Sequence, residues 1–170
     1  MKTPMEGNAI DTNVLISANG VDTHASFKCQ LRCIELLEQI ISNKKLILLD
    51  AEGDIFEEYQ NYCDFSGKPG VGDFFFKWLH DHIANDELVR NLVVLKSNQE
   101  DIIYNVLKKI ACLSGFDSSD QKFLAVAMTY EHNAVIHNAT DSDWYNHRDC
   151  IAGIEGVAVN QLCPSLFQNQ

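Results

Sequence analysis

The amino-acid sequence predicts a three-layer α/β domain with a central parallel sheet of four to five strands. Three observations carry that prediction. Short β-branched or aliphatic runs recur along the chain, segments of helical periodicity separate them, and no internal repeat or low-complexity stretch breaks the alternation. Strands that alternate with helices form βαβ units, whose parallel sheet is covered on both faces. At 170 residues the chain is long enough to bury a sizeable core, and one domain over 1–170 is expected.

The elements follow in order. "NAI" before Asp11 reads as the first strand. Phe27, Leu31, Ile34, Leu37 and Ile41 then step along one face of a long helix. "KLILL" at 45–49 is the second strand. A turn-rich stretch at 65–73 holds Gly67, Pro69, Gly70 and Gly72 and reads as a Gly-rich insertion. Asp73 then caps a helix bearing Phe74, Phe75, Trp78 and Leu79, aromatics better read as core than as a base-stacking surface. The glycines lack the pattern of a phosphate-cradling loop. "LVVLK" at 92–96 is the third strand, and "SNQE" at 97–100 reads as a capping box. The helix it opens would bury Ile102, Ile103, Val106, Leu107 and Ile110. Phe123, Leu124, Ala127 and Met128 stripe a further helix, and "AVI" at 134–136 and "GVAV" at 156–159 close the sheet.

Thirteen Lys and Arg against twenty-four Asp and Glu leave a net charge of −11. Tight wrapping of duplex DNA needs basic surface, so that class is disfavoured. A nuclease is not, because divalent cations gathered by acids can themselves contact phosphate. No apolar run approaches the roughly 20 residues that span a bilayer, and the start lacks a secretory signal. The expectation is a cytoplasmic protein without a membrane partner. Six cysteines occur without a C-x-x-C pair, so reduced thiols are expected. Cys29, Cys33 and nearby His24 could be read as a zinc site, but small buried hydrophobes are the preferred reading.

The acids ask for more explanation. In a parallel sheet, ligands bind outside the carboxyl ends of the strands. Asp11 follows the first strand, Asp141 and Asp143 follow the fourth, and Asp117 and Asp120 open a helix that enters near the same edge. Glu58 lies in the segment after the second strand, with Glu57 beside it. Singly, most of these are good helix caps or a solvated helix face. Together they bring like charges to one end of the sheet from four segments. Two unit charges about 4 Å apart repel by about 4 kcal/mol at an effective dielectric of about 20, so protons or cations must compensate them. Oxygen-only ligand sets select Mg²⁺ or Mn²⁺ over zinc.

"AIDTNVLIS", the Glu58–Tyr59 pair, "DSSDQKFLAVA" and "NATDSDW" resemble the signature motifs of the PIN-domain family, in its order and spacing over 9–144. These are metal-dependent ribonucleases that include toxins of toxin–antitoxin pairs. The resemblance implies a PIN-like fold closed by "GVAVNQLCP". It also implies endonucleolytic hydrolysis of single-stranded RNA with Mg²⁺ or Mn²⁺. It assigns Asp11, Glu58, Asp120 and Asp141 as metal-binding catalytic acids, with Asp117 and Asp143 as supporting ligands. Thr12, Asn13 and Thr140 fall at positions that orient carboxylates or the scissile phosphate. Lys122 and Arg148, beside the acidic motifs, are the candidates for the substrate backbone. An antitoxin-like inhibitor and a homodimer are the partners such a family suggests. The chain departs from the pattern where Ala139-Thr140-Asp141 replaces the usual Thr-x-Asp, and in the insertion at 65–73, which weakens the toxin reading. The main rival is a non-catalytic PIN-like module that binds RNA or a protein. A phosphatase with an aspartyl nucleophile usually carries D-x-D after strand one, where this chain has Asp11-Thr12-Asn13.

Overall fold

The computed structural model describes residues 3–168. Five strands form one all-parallel sheet: β1 (Gly7–Ile10), β2 (Leu46–Asp50), β3 (Val89–Leu92), β4 (Ala134–Asn138) and β5 (Val157–Gln161). Their order is β3-β2-β1-β4-β5, and helices flank the sheet to make three α/β/α layers. The register sets Ile10 beside His137 and His137 beside Asn160. β1 and β2 are buried along their whole length. That is why β2 reads as a continuous apolar run, Leu46 to Leu49, rather than as an alternating one.

The helices are α1 (Thr12–Asn19), α2 (Phe27–Ser42), α3 (Asp54–Tyr62), α4 (Val71–His82), α5 (Gln121–Thr129), α6 (Ser142–Asn146) and α7 (Arg148–Ala152). α5 packs on β1, β2 and β4, and its residues Gln121 to Ala127 are all buried. The buried apolar side chains form one contiguous core that draws on all five strands. α1 and α4 lie so close that a Cβ on Gly72 would stand 2.2 Å from the Leu15 carbonyl oxygen. No described helix is long and apolar enough to cross a membrane.

Several expectations are corrected. The third strand ends at Leu92, because Leu92 pairs with Asp50 and β2 goes no further. Val93 and Leu95 are instead exposed. The helix expected after "SNQE" does not form. The Ser97 hydroxyl accepts from Gln99 N–H in a local turn, while the Gln121 side chain takes Ile103 N–H and donates to the Asp101 carbonyl. Only two short 3₁₀ turns follow, Asn105–Lys109 and Ala111–Leu113. α2 is rotated from its predicted face: Cys29, Cys33, Leu36, Leu37 and Ile40 are buried, whereas Phe27 and Leu31 face solvent. α4 begins before Asp73, whose carboxylate accepts from Gly70 N–H while Asn19 Oδ1 takes Asp73 N–H. Phe75, Phe76 and Leu79 are core, but Phe74 is exposed.

The cysteines are corrected as well. Cys29 is bonded to Cys163 and Cys112 to Cys150. The partners are 134 and 38 residues apart, so only the tertiary fold brings them together. Cys33 and Cys63 are free and buried. Burial pushes both thiols up to about 12. Cys33 lies in a cluster with Cys29 and Cys163 that does not include His24.

Candidate metal centre

Strand order reverses between β1 and β4, and an open parallel sheet forms its ligand crevice at such a point. Asp11 leaves β1 into α1, and Asp141 leaves β4 into α6. α5 lies across the same strands and starts at Asp120. One oxygen from each of Asp11, Asp120 and Asp141 lies within 4.8 Å of the others. Asp11 and Asp120 are 4% and 5% exposed, and Asp141 is half-buried.

The capping role and the site role coexist. Asp11 Oδ1 accepts from Asn13 N–H at 3.0 Å, and Asp141 Oδ1 accepts from Asp143 N–H at 2.8 Å. Asp11 Oδ2 accepts from the Trp144 indole N–H at 2.7 Å. Asp120 occupies the cap position of α5, but its side chain accepts no backbone N–H there. Its Oδ2 is buried without a hydrogen-bond partner. Buried polar atoms rarely go unpaired, and each exception calls for an explanation.

The electrostatics point the same way. Burial raises the Asp11 carboxyl well above the usual carboxylate range, against the Asn13 N–H and Trp144 contacts, and repulsion from Asp141 and Glu58 adds to the rise. Burial raises Asp120 further, reinforced by Asp11 and Asp141. The raised Asp11 and Asp120 carboxyls favour compensation of their charge, by protons or by a cation.

Glu58, on α3, stands beside the trio rather than within it. Its Oε1 accepts from the Thr12 hydroxyl, and its Oε2 pairs with the Lys122 ammonium. Lys122 also donates to the Ser119 carbonyl and is buried, so it meets Glu58 rather than solvent. Asp117 and Asp143 are set apart from the trio: Asp143 accepts from Asp117 N–H, and Asp117 Oδ1 accepts from Ser119 N–H and hydroxyl. This pair ties the entry of α5 to α6. Asn13 Oδ1 accepts from Ala139 and Thr140 N–H, and its amide donates to Asn138 Oδ1. Arg148 is exposed, donates to the Tyr145 carbonyl at 2.7 Å and lies over the Tyr145 ring.

Two orienting residues escaped the sequence reading. Asn138 takes Asp141 N–H on its Oδ1 and donates to the Asp141 carbonyl, so it sets the turn that delivers Asp141. Trp144 is fully buried and aims its N–H at Asp11. The signal available for Trp144 was an aromatic with one polar handle inside an acidic motif.

A divalent cation fits these residues. The convergent donors are carboxylate oxygens alone, the ligand chemistry of Mg²⁺ or Mn²⁺. The orphaned Asp120 oxygen supplies an open valence. No protein-family model, no curated protein and no solved structure matches this chain. The centre therefore rests on its own geometry.

Proposed function

We propose that the protein is a metal-dependent endoribonuclease that hydrolyses phosphodiester bonds of single-stranded RNA with Mg²⁺ or Mn²⁺. The observation that carries this reading is the convergence of Asp11, Asp120 and Asp141 around a buried oxygen that lacks a partner. The substrate class comes from the motif resemblance to PIN-domain ribonucleases. Asp11, Asp120 and Asp141 would hold the ion. When bound, it supplies charge neutralisation at the phosphate and leaving oxygen and acidifies an attacking water.

The protein's residues do the remaining work. Trp144 and Asn13 N–H fix the Asp11 carboxylate, and Asn138 fixes the turn that carries Asp141. Thr140 is half-buried beside Asp141 in sequence, and its hydroxyl would serve to orient a phosphate oxygen. Arg148, exposed on α7, offers a charge to the substrate backbone. Lys122 serves the site from within.

The deciding experiment is incubation of labelled single-stranded RNA with Mn²⁺ or Mg²⁺, comparing wild type with Asp11→Asn and Asp120→Asn. Cleavage by wild type alone supports the assignment, and equal cleavage by all three refutes it. The second reading is a non-catalytic module, favoured by the net charge of −11, which suits a basic protein partner better than RNA. An inhibitor protein or a second copy of the chain would belong to that reading or to a toxin role.

A further inference from the structure

Lys122 is the unusual member of this site. Its side chain is 9% exposed, and it sits two residues from Asp120 on the most buried helix of the fold. A buried ammonium is costly unless it is paired and its remaining protons find acceptors. Lys122 pairs with the Glu58 carboxylate and donates a second N–H to the Ser119 carbonyl. Glu58 is held equally firmly, since the Thr12 hydroxyl takes its other oxygen. Both oxygens of Glu58 are therefore engaged, whereas Asp120 Oδ2 is open.

We infer that Lys122 is a resident cation that fills the place a second divalent ion would take, so that the centre holds a single metal. The inference rests on the proposed function, because it specifies how many ions that same centre accepts. In two-metal phosphodiesterases the ions stand about 3.5–4 Å apart and share the surrounding acids. Here the fourth acid is committed to an ammonium fixed by the backbone of the Ser119 turn. The lysine is covalently part of the site, and one place is left for an exchangeable ion. Removing the ammonium frees Glu58 next to Asp11, and a second ion can then bind.

The test counts ions. Mn²⁺ binding to the full chain is measured by calorimetry and by electron paramagnetic resonance, with circular dichroism to check folding. Wild type binds one ion, Lys122→Met binds two, and the double variant Lys122→Met with Glu58→Gln returns to one. Two ions in wild type, or one in folded Lys122→Met, overturn the inference and leave the centre standing. No ion in wild type overturns the proposed function and the inference together. Should Lys122→Met fail to fold, Glu58→Gln alone decides. It keeps one ion with an affinity loss smaller than that of Asp120→Asn. A loss as large as that of Asp120→Asn would make Glu58 a ligand and overturn the inference.

Discussion

Strands β1 and β4 carry two buried polar groups of opposite character. Within the sheet, His137 Nε2 meets Asn8 Oδ1 at 2.9 Å and its Nδ1 accepts from the Asn160 amide at 3.0 Å. Asn8 in turn donates to the Leu46 carbonyl. Every ring nitrogen has a partner, and burial lowers the imidazole to about 4, which keeps it neutral. Just past the carboxyl ends of the same strands, Asp11, Asp120 and Asp141 crowd together with one oxygen unpaired. The first group is complete and serves packing. The second leaves a buried oxygen without a partner, and the proposed function rests on it.

The largest effect expected from breaking this contrast is on catalysis. Asp120→Asn removes the open ligand and lowers Mn²⁺-dependent RNA cleavage by about 100-fold or more, as several kcal/mol of transition-state charge stabilisation are lost. The same substitution raises the melting temperature of the metal-free protein at alkaline pH, where Asp120 would otherwise ionise against Asp11 and Asp141. Kinetic assays and thermal melts on one preparation check both signs.

His137→Leu does the reverse. It strands the Asn8 and Asn160 amides and destabilises the fold by about 1–3 kcal/mol, while cleavage per folded molecule is unchanged. Denaturant titration alongside active-site counting reads this.

A pH series sharpens the contrast further. Raised Asp11 and Asp120 carboxyls mean that the folded metal-free chain binds more protons than the unfolded chain above the ordinary carboxylate range. Its stability therefore falls as pH rises through their folded values. The lowered His137 acts on the other side: stability falls as pH drops from the ordinary histidine value of 6.5 through about 4. Mn²⁺ restores the alkaline loss and leaves the acidic one. Calorimetry in buffers of different ionisation enthalpy shows protons released on binding. The smallest effect belongs to Arg148→Ala, which changes stability by less than about 0.5 kcal/mol and weakens substrate binding in a salt-dependent way.

Asp11 and Asp141 were legible because each directly follows a buried run, and position after a parallel strand fixes which edge of the sheet a residue reaches. Asp120 was legible as the start of a strongly apolar helix. Four of the strands stood out because each holds a short apolar run, whereas β3 carries Arg90 and Asn91, and the apolar run at 92–96 drew the expected strand past its end. What was lost depends on partners remote in sequence. Gln121 capturing Ile103 and Asp101 overrode a good local helix signal, and Cys29 of α2 turns inward to a partner 134 residues away. Lys122 looked like a substrate contact because nothing in its neighbourhood shows that Glu58 reaches it from α3.

The Cys29–Cys163 bond turns most of the chain into a covalent ring, with Asp11 on the tail outside it and Glu58, Asp120 and Asp141 on the circle. A protease cutting the exposed stretch around Val93 and Leu95 would open that ring without releasing a fragment. The nicked molecule would migrate as one species until a reductant is added, and then as two.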